Sequence, residues 1–301
     1  MAEGKKVEII WRAGARAGVT IAEALRKATM SLKKYGIPTA RLDAEVLLAF
    51  VLACRREDLY AHPERVVDHS KLDEFRSLLE KRINRVPVAY LRSLKEFMAM
   101  EFLVTPAVLI PRPETEVLVE AVLSEFACRC RRALIADIGT GSGAIAVALA
   151  YRLTDIEIVA TDISPSAISI AKLNAKRHHV QDRIRFEVGD LLEPLSRLGL
   201  EGRLDAIVSN PPYIASSEMG SLPPELSFEP KIALDAGEDG LSPFRRMLAG
   251  AAEFLKDSGL VALEVSSLRA SEVARLAENL GYNVSIRQDY AGRDRVVMAR
   301  R

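Results

Sequence analysis

The sequence predicts an α/β protein in which a mostly parallel sheet of seven strands follows a small helical bundle. Three observations carry that expectation. From Ala133 onward, apolar runs of strand length alternate with stretches of helical period, the pattern of a parallel sheet covered by helices. Residues 19–85 hold only the helical period, with apolar residues three and four apart. The last two strand-like runs are separated by Asp289-Tyr290-Ala291-Gly292-Arg293 alone. A connection that short cannot cross over to a parallel neighbour, so the final pair is expected to be antiparallel.

Residues 1–18 read as an extension without a clear pattern. Thr20 with Glu23 makes a capping box for a helix carried by Ile21, Ala24, Leu25, Ala28 and Leu32, and Gly36 and Pro38 stop it. A second helix is expected over Ala40 to Leu52, a short turn over Glu57 to Tyr60, and another helix opened by Ser70 with Asp73. Nothing in residues 19–85 resembles a nucleophile, metal set or phosphate loop, so residues 1–85, with 1–18 as the extension, are expected to form a helical substrate-recognition domain. Residues 86–115 mix short apolar stretches with prolines and read as a linker with a β-hairpin, closed by Pro111-Arg112-Pro113 ahead of a helix from about Glu114. The remaining 116–301 form the sheet domain. Its strands are expected near 133–138, 156–161, 184–188, 204–209, 259–265, 282–288 and 294–299, and its helices near 143–152, 165–177, 242–256 and 269–280.

Composition narrows the function classes. Lys and Arg number 42 against 41 Asp and Glu, so no bulk positive field draws the chain to nucleic acid. The basic cluster Arg129-Cys130-Arg131-Arg132 is expected on the solvated face of a connector. Three cysteines (Cys54, Cys128, Cys130) and four histidines (His62, His69, His178, His179) show no ligand spacing, so no metal is expected. No apolar run reaches membrane-spanning length and the start lacks a signal-peptide core. A cytoplasmic monomer without a membrane partner is the expectation.

Asp137-Ile138-Gly139-Thr140-Gly141-Ser142-Gly143 lies between the first sheet strand and its helix. Alternate glycines permit a tight turn and close approach of a ligand to the main chain. The spacing Gly-x-Gly-x-Gly differs from that of dinucleotide binders and favours a ligand without a pyrophosphate. Asp162 ends the second strand, where a carboxylate can bond ribose hydroxyls; its other reading, a helix cap, is a job open to Ser164. Asp190 and Leu191 follow the third strand, where a carboxylate can accept from an adenine amino group. Together the glycine turn, Asp162 and Asp190 at three successive strand ends fit S-adenosylmethionine.

The fourth strand, Leu204 to Ser209, ends in Asn210-Pro211-Pro212-Tyr213. Prolines donate no ladder hydrogen bond and restrict the residue before them, so the turn is stiff and holds a carboxamide and a carbonyl at the strand end. Alone, it is equally an ordinary Pro-rich loop. An amide nitrogen is a poor nucleophile because its lone pair is delocalised. If the Asn210 oxygen and the Pro211 carbonyl each accept one N–H, such a nitrogen is oriented for methyl transfer, and the Tyr213 ring offers a face for the planar amide.

Five stretches then make a family resemblance: Pro111 to Glu116, Asp137 to Gly143, Asn210 to Tyr213, Glu229 to Leu241, and Ala291 to Arg295. In this order the chain resembles the peptide chain release factor glutamine methyltransferases, from about residue 20 to the end. The resemblance implies a Rossmann-like class I methyltransferase domain that uses S-adenosylmethionine to methylate the glutamine of a Gly-Gly-Gln motif in a release factor. It also implies cofactor contacts at Gly139, Thr140, Gly141, Ser142, Gly143, Asp162, Leu191 and Asn210, and a glutamine site at Asn210, Pro211, Pro212 and Tyr213. Asn-Pro-Pro-Tyr is shared with methyltransferases acting on DNA adenine and ribosomal RNA guanine, and a sister family modifies a ribosomal protein. The Pro111 to Glu116 run is the selective part. The chain departs from the family pattern at Arg92-Ser93 and Val265-Ser266-Ser267, where glycines are usual, and at Leu191, aromatic in some relatives. Phe97 and Phe102 are read as core residues rather than pocket walls.

Overall fold

The computed structural model describes residues 18–127 and 132–301, so the expected 1–18 extension, except Gly18, and the cluster 129–132, except Arg132, lie outside the described residues, as do Cys128 and Cys130. The chain divides into two compact units, one ending at Ser93 and one running Leu94–Arg301.

The first unit is helical: α1 (Ile21–Lys34), α2 (Ala40–Leu52), α3 (Arg56–Ala61), α4 (His69–Ile83) and α5 (Val88–Arg92). Thr20 caps α1 as its sequence implies, its hydroxyl accepting from the Glu23 N–H at 3.3 Å. The start of α4 differs from the Ser70–Asp73 expectation. The first helical bond runs from the Leu72 N–H to the Asp68 carbonyl, which makes Asp68 the cap position and puts Ser70 inside the helix. The core is Leu25, Leu32, Leu47, Leu48, Leu72, Phe75 and Leu79 with their neighbours. An ion pair between Asp43 and Arg82 (2.7 Å) is buried beside it. At the end of α5, Ser93 takes φ 57, the left-handed region that the usual glycine would enter without strain.

The second unit opens with a hairpin of β1 (Leu94–Phe97) and β2 (Met100–Leu103). The stretch 86–115 is thus shared between the units, α5 in the first and the hairpin in the second. Then follow α6 (Pro113–Phe126), β3 (Ala133–Ile138), α7 (Ala144–Arg152), β4 (Ile156–Asp162), α8 (Pro165–Arg177), β5 (Ile184–Val188), α9 (Glu193–Arg197), β6 (Leu204–Ser209), α10 (Ser242–Phe254), β7 (Leu255–Glu264), α11 (Ala270–Asn279), β8 (Asn283–Gln288) and β9 (Asp294–Arg300). The sheet order is β5-β4-β3-β6-β7-β9-β8, with β9 antiparallel to both neighbours and the rest parallel. Strand β7 begins earlier than its apolar run suggests. Leu255 pairs with Leu204, a register shift follows, and Lys256 reaches the buried Asp205 carboxylate at 2.6 Å. The short helices α5 and α9 have no periodic signal and were not expected.

The two faces of the sheet have separate cores, one with Phe97, Phe102, Leu118 and Ile135, the other with Phe244, Met247, Leu263 and Val297. Phe97 and Phe102 meet edge to face at 5.9 Å and are both buried, as core residues do. The hairpin is tied to the sheet domain by Asn174 of α8, which is fully buried. Its side-chain oxygen accepts from the Leu103 N–H (2.7 Å), and its nitrogen donates to the Leu103 carbonyl (2.9 Å) and the Ser142 carbonyl (2.8 Å). Every polar atom of that carboxamide is used. Asn174→Ala leaves three main-chain groups without this partner, at about 1–3 kcal/mol for each that stays buried. The expected result is a loss of about 3 kcal/mol or more, read from the urea midpoint; a variant as stable as the parent would remove Asn174 from this role.

Candidate active site

The strand order reverses at β3: β4 and β5 lie on one side and β6 and β7 on the other. In an open α/β sheet the crevice for a ligand forms at such a point, beyond the carboxyl ends of the strands. A cavity of about 400 Å³ lies there, lined by Gly139, Gly141, Asp162, Asp190, Leu191, Asn210 and Pro212 with Val108, Leu109 and Ile232. Its size and mixed lining suit a small organic ligand. Four successive strand ends, of β3, β4, β5 and β6, therefore meet in one place.

The turn after β3 is built from inside the fold. Gly139, Gly141 and Gly143 all have positive φ (71, 56 and 80). A Cβ at Gly143 would stand 3.0 Å from the Ala171 Cβ, so α8 packs directly on the turn. A Cβ at Gly139 would meet no protein atom within 4 Å, which leaves its side of the turn open. Thr140 and Ser142 are buried. The Thr140 hydroxyl donates to the Asp137 carboxylate at 2.6 Å, and the Ala146 N–H donates to the same oxygen at 3.1 Å. The structure thus does not bring Thr140, Ser142 or Gly143 to the cavity wall; they shape the turn that Gly139 and Gly141 present. Asp137 is fully buried, and burial pushes its carboxyl up to about 7 against those two hydrogen bonds.

Asp162 is bonded by main chain on both oxygens. Oδ2 accepts from the Gly141 N–H and Oδ1 from the Ser164 N–H, each at 2.9 Å. Burial raises its pKa, opposed by these bonds. Ser164, not Asp162, caps α8, accepting from the Ala167 N–H at 3.2 Å. Asp190 pairs with Arg246 of α10 near the surface. Leu191 has φ 47, an unusual conformation for a bulky residue, and it lines the cavity.

Asn210 leaves β6 at the cavity edge. Its nitrogen donates to the Thr115 hydroxyl at 3.0 Å, which commits that end of the carboxamide and leaves the oxygen to the other side. Pro212 lines the cavity, whereas Pro211 is buried and Tyr213 packs against the core of that sheet face; neither is among the lining residues. Burial pushes the Tyr213 phenol up to about 12, with Glu264 adding to the effect. Glu264 itself ends β7, one residue past the Leu263–Ser209 pair. It is fully buried, and neither oxygen has a hydrogen bond of ordinary geometry among the described residues. Burial pushes it up to about 7, while the Thr115 hydroxyl and the Arg295 and Arg112 guanidiniums beside it pull the other way.

The Pro111 to Glu116 run now has side-chain work. Arg112 pairs with the buried Glu229, whose other oxygen accepts from the Ile110 N–H at 3.1 Å. Thr115 holds Asn210, and Glu116 accepts from the Met98 N–H at 2.6 Å. Thr115 and Glu229 support the site through these bonds; neither they nor the buried Glu264 were assigned roles from sequence. The available signal for Glu264 was a carboxylate closing the apolar run Leu260-Val261-Ala262-Leu263.

Two family models match the chain, the PrmC N-terminal domain over residues 23–92 and the methyltransferase small domain over 113–222. The chain is 42% identical to a release factor glutamine methyltransferase of Moorella thermoacetica, covering 94% of this chain and 99% of that protein. It is 39% identical to the protein of the same name in Clostridium acetobutylicum, covering 93% and 98%. A solved structure, a release factor-specific protein-(glutamine-N5) methyltransferase from Alicyclobacillus acidocaldarius, is 34% identical over 66% of this chain and 99% of that one, with a TM-score of 0.40.

The buried carboxyl at Glu264 gives a pH prediction. Its folded pKa, about 7, is raised above the ordinary 4.5, so the stability that the neutral form contributes is full below pH 4 and is lost as pH rises through 7. Glu264→Gln removes that loss. Between pH 5 and pH 8 the parent is expected to lose about 2 kcal/mol relative to the variant, measured by urea unfolding at each pH. Parallel pH profiles for the two proteins would contradict the assignment.

Proposed function

The chain belongs to the release factor glutamine methyltransferase family, and from that membership we propose that it transfers a methyl group to the side-chain amide nitrogen of the glutamine in the Gly-Gly-Gln loop of a peptide chain release factor. The observation that carries this reading is the Asn210 carboxamide, anchored through its nitrogen at the edge of a cavity that also reaches Gly139 and Asp162. The reading places the protein in the cytoplasm with a protein substrate.

The methyl donor we take to be S-adenosylmethionine, and the residues present fit it. Gly139 and Gly141 offer a wall without side chains. Asp162 accepts one backbone N–H on each oxygen and keeps lone pairs for two ribose hydroxyls. Leu191 and Ile232 supply apolar surface and Asp190 an acceptor for the adenine end. When bound, this group supplies an electrophilic methyl on a sulfonium.

The chain's own residues then have one task, to orient a weak nucleophile. The substrate amide nitrogen carries two N–H donors and a lone pair delocalised into its carbonyl. In this reading the Asn210 oxygen and the Pro211 carbonyl each accept one N–H, which sets the nitrogen's face toward the cavity. As positive charge grows on the nitrogen, the same two acceptors stabilise it, and its proton becomes acidic enough to leave to water. Tyr213 is no base at neutral pH, because burial holds its phenol protonated. It offers a ring face to the planar amide. Orientation of this kind supplies roughly 7–11 kcal/mol in well-positioned systems.

Asn210→Ala is expected to keep cofactor affinity within a few-fold by calorimetry while methyl transfer falls by about 100-fold or more. Near-normal turnover in that variant would end the clamp assignment. The function itself is tested by mass spectrometry of a release factor incubated with the full-length protein and S-adenosylmethionine. One added methyl on the Gly-Gly-Gln glutamine is the expected product; a methyl elsewhere, or none, overturns the reading.

A further inference from the structure

Resting on the clamp reading above, we propose that Glu264 is a positioning residue that acts through Thr115 to fix which end of the Asn210 carboxamide faces the substrate. A carboxamide is nearly symmetrical in shape, so the stiff backbone around Asn210 cannot by itself choose between oxygen outward and nitrogen outward. Only a hydrogen-bond partner of defined polarity can choose. That partner is the Thr115 hydroxyl, which accepts from the Asn210 nitrogen at 3.0 Å.

A hydroxyl, however, has one proton to give as well as lone pairs to receive. If the Thr115 proton pointed at Asn210, the carboxamide would turn its oxygen inward and offer an N–H to a substrate that itself brings N–H groups. The Thr115 proton must therefore have another acceptor. Glu264 sits beside Thr115, is fully buried, and has two oxygens with no hydrogen bond of ordinary geometry among the described residues. Ionised, a carboxylate accepts only, so it draws the Thr115 proton and frees the hydroxyl's lone pairs for Asn210. Protonated, Glu264 can donate to Thr115 instead, and the direction of the chain is no longer enforced.

The groups around Glu264 explain why its charge is poised. Arg295 of β9 and Arg112 ahead of α6 favour the ionised form, Glu114 of α6 opposes it, and Tyr213 stays neutral next to it. Arg295 is engaged elsewhere, with Asp289 at 3.2 Å and the Val265 carbonyl at 3.3 Å, so it tunes Glu264 without closing on it. Because Glu264 has no accessible surface, it does not touch the substrate.

The test uses the full chain with a release factor and S-adenosylmethionine, and follows kcat from pH 5.5 to 8.5. The parent is expected to lose turnover several-fold on the acid side of about pH 7. Glu264→Gln, which resembles the protonated acid, is expected to show about 10-fold lower kcat at pH 8.5 with no acid limb, while its cofactor affinity stays within about twofold at each pH. Thr115→Ser keeps the limb, and Thr115→Val loses it together with about 100-fold in kcat. A second measurement needs no turnover. In protein labelled with carboxyl-¹³C glutamate, the Glu264 resonance is expected to titrate near pH 7, and to titrate higher in Thr115→Val. Glu264→Gln with the parent's kcat and the parent's acid limb overturns the relay, as does a Glu264 carboxyl that does not respond to Thr115→Val. Asn210→Ala separates the two levels: if it is inactive while the Glu264 and Thr115 variants match the parent, the relay falls alone; if it turns over normally, the clamp falls with it.

Discussion

The hydrogen bond from the Asn210 carboxamide to the Thr115 hydroxyl joins segments 95 residues apart at the edge of the strand-end crevice. It has little value unless both of its ends are fixed, and most of the surrounding structure fixes them. On the β6 side, the Ser209 hydroxyl donates to the Ile138 carbonyl at 2.6 Å, which locks the end of β6 to the end of β3. On the α6 side, Arg112 is held by Glu229 and Glu116 by the Met98 N–H, so the first turn of the helix cannot rotate without breaking both. The glycine turn depends on the same frame, because α8 closes on Gly143 and Asn174 of α8 carries the hairpin.

Two carboxyl groups near the ends of β3 and β7, Asp137 and Glu264, with β6 between them, are buried deeply enough to approach neutrality near pH 7. They are treated differently by their surroundings. Asp137 receives a hydroxyl and a backbone N–H on one oxygen and stiffens the turn after β3. Glu264 has charged neighbours but no close hydrogen bond of ordinary geometry. A buried polar group without a firm partner costs stability.

Much of this was legible in the sequence because the signals were local. The alternation of strand and helix from Ala133, the Thr20 cap and the closing antiparallel strands all rest on short-range chemistry, and all appear. Ser164 also takes the cap of α8, as the spacing suggested. What was not legible depended on contacts between distant segments. Thr115 stands in a run whose selectivity was plain, yet its role needs Asn210 beside it. Thr140 and Ser142 sit within a cofactor-type motif but turn into the fold, a choice made by Asp137 and Asn174 rather than by the glycines. The early start of β7 likewise follows from Lys256 meeting Asp205, a pairing that no hydrophobic pattern encodes.

A weak nucleophile that needs orientation more than activation places its demands on polarity as well as on position. The prolines after Asn210 restrict the backbone, and restricted backbone places the Cβ of Asn210, but torsion about the terminal carboxamide bond is broad and nearly two-fold. Position and polarity are thus separate requirements met by separate devices. The first is local and is written in four consecutive residues. The second rests on the Thr115 hydroxyl of α6, which accepts from the Asn210 nitrogen. In the proposed reading, an acceptor group held with defined polarity is what a donor-rich amide nitrogen requires.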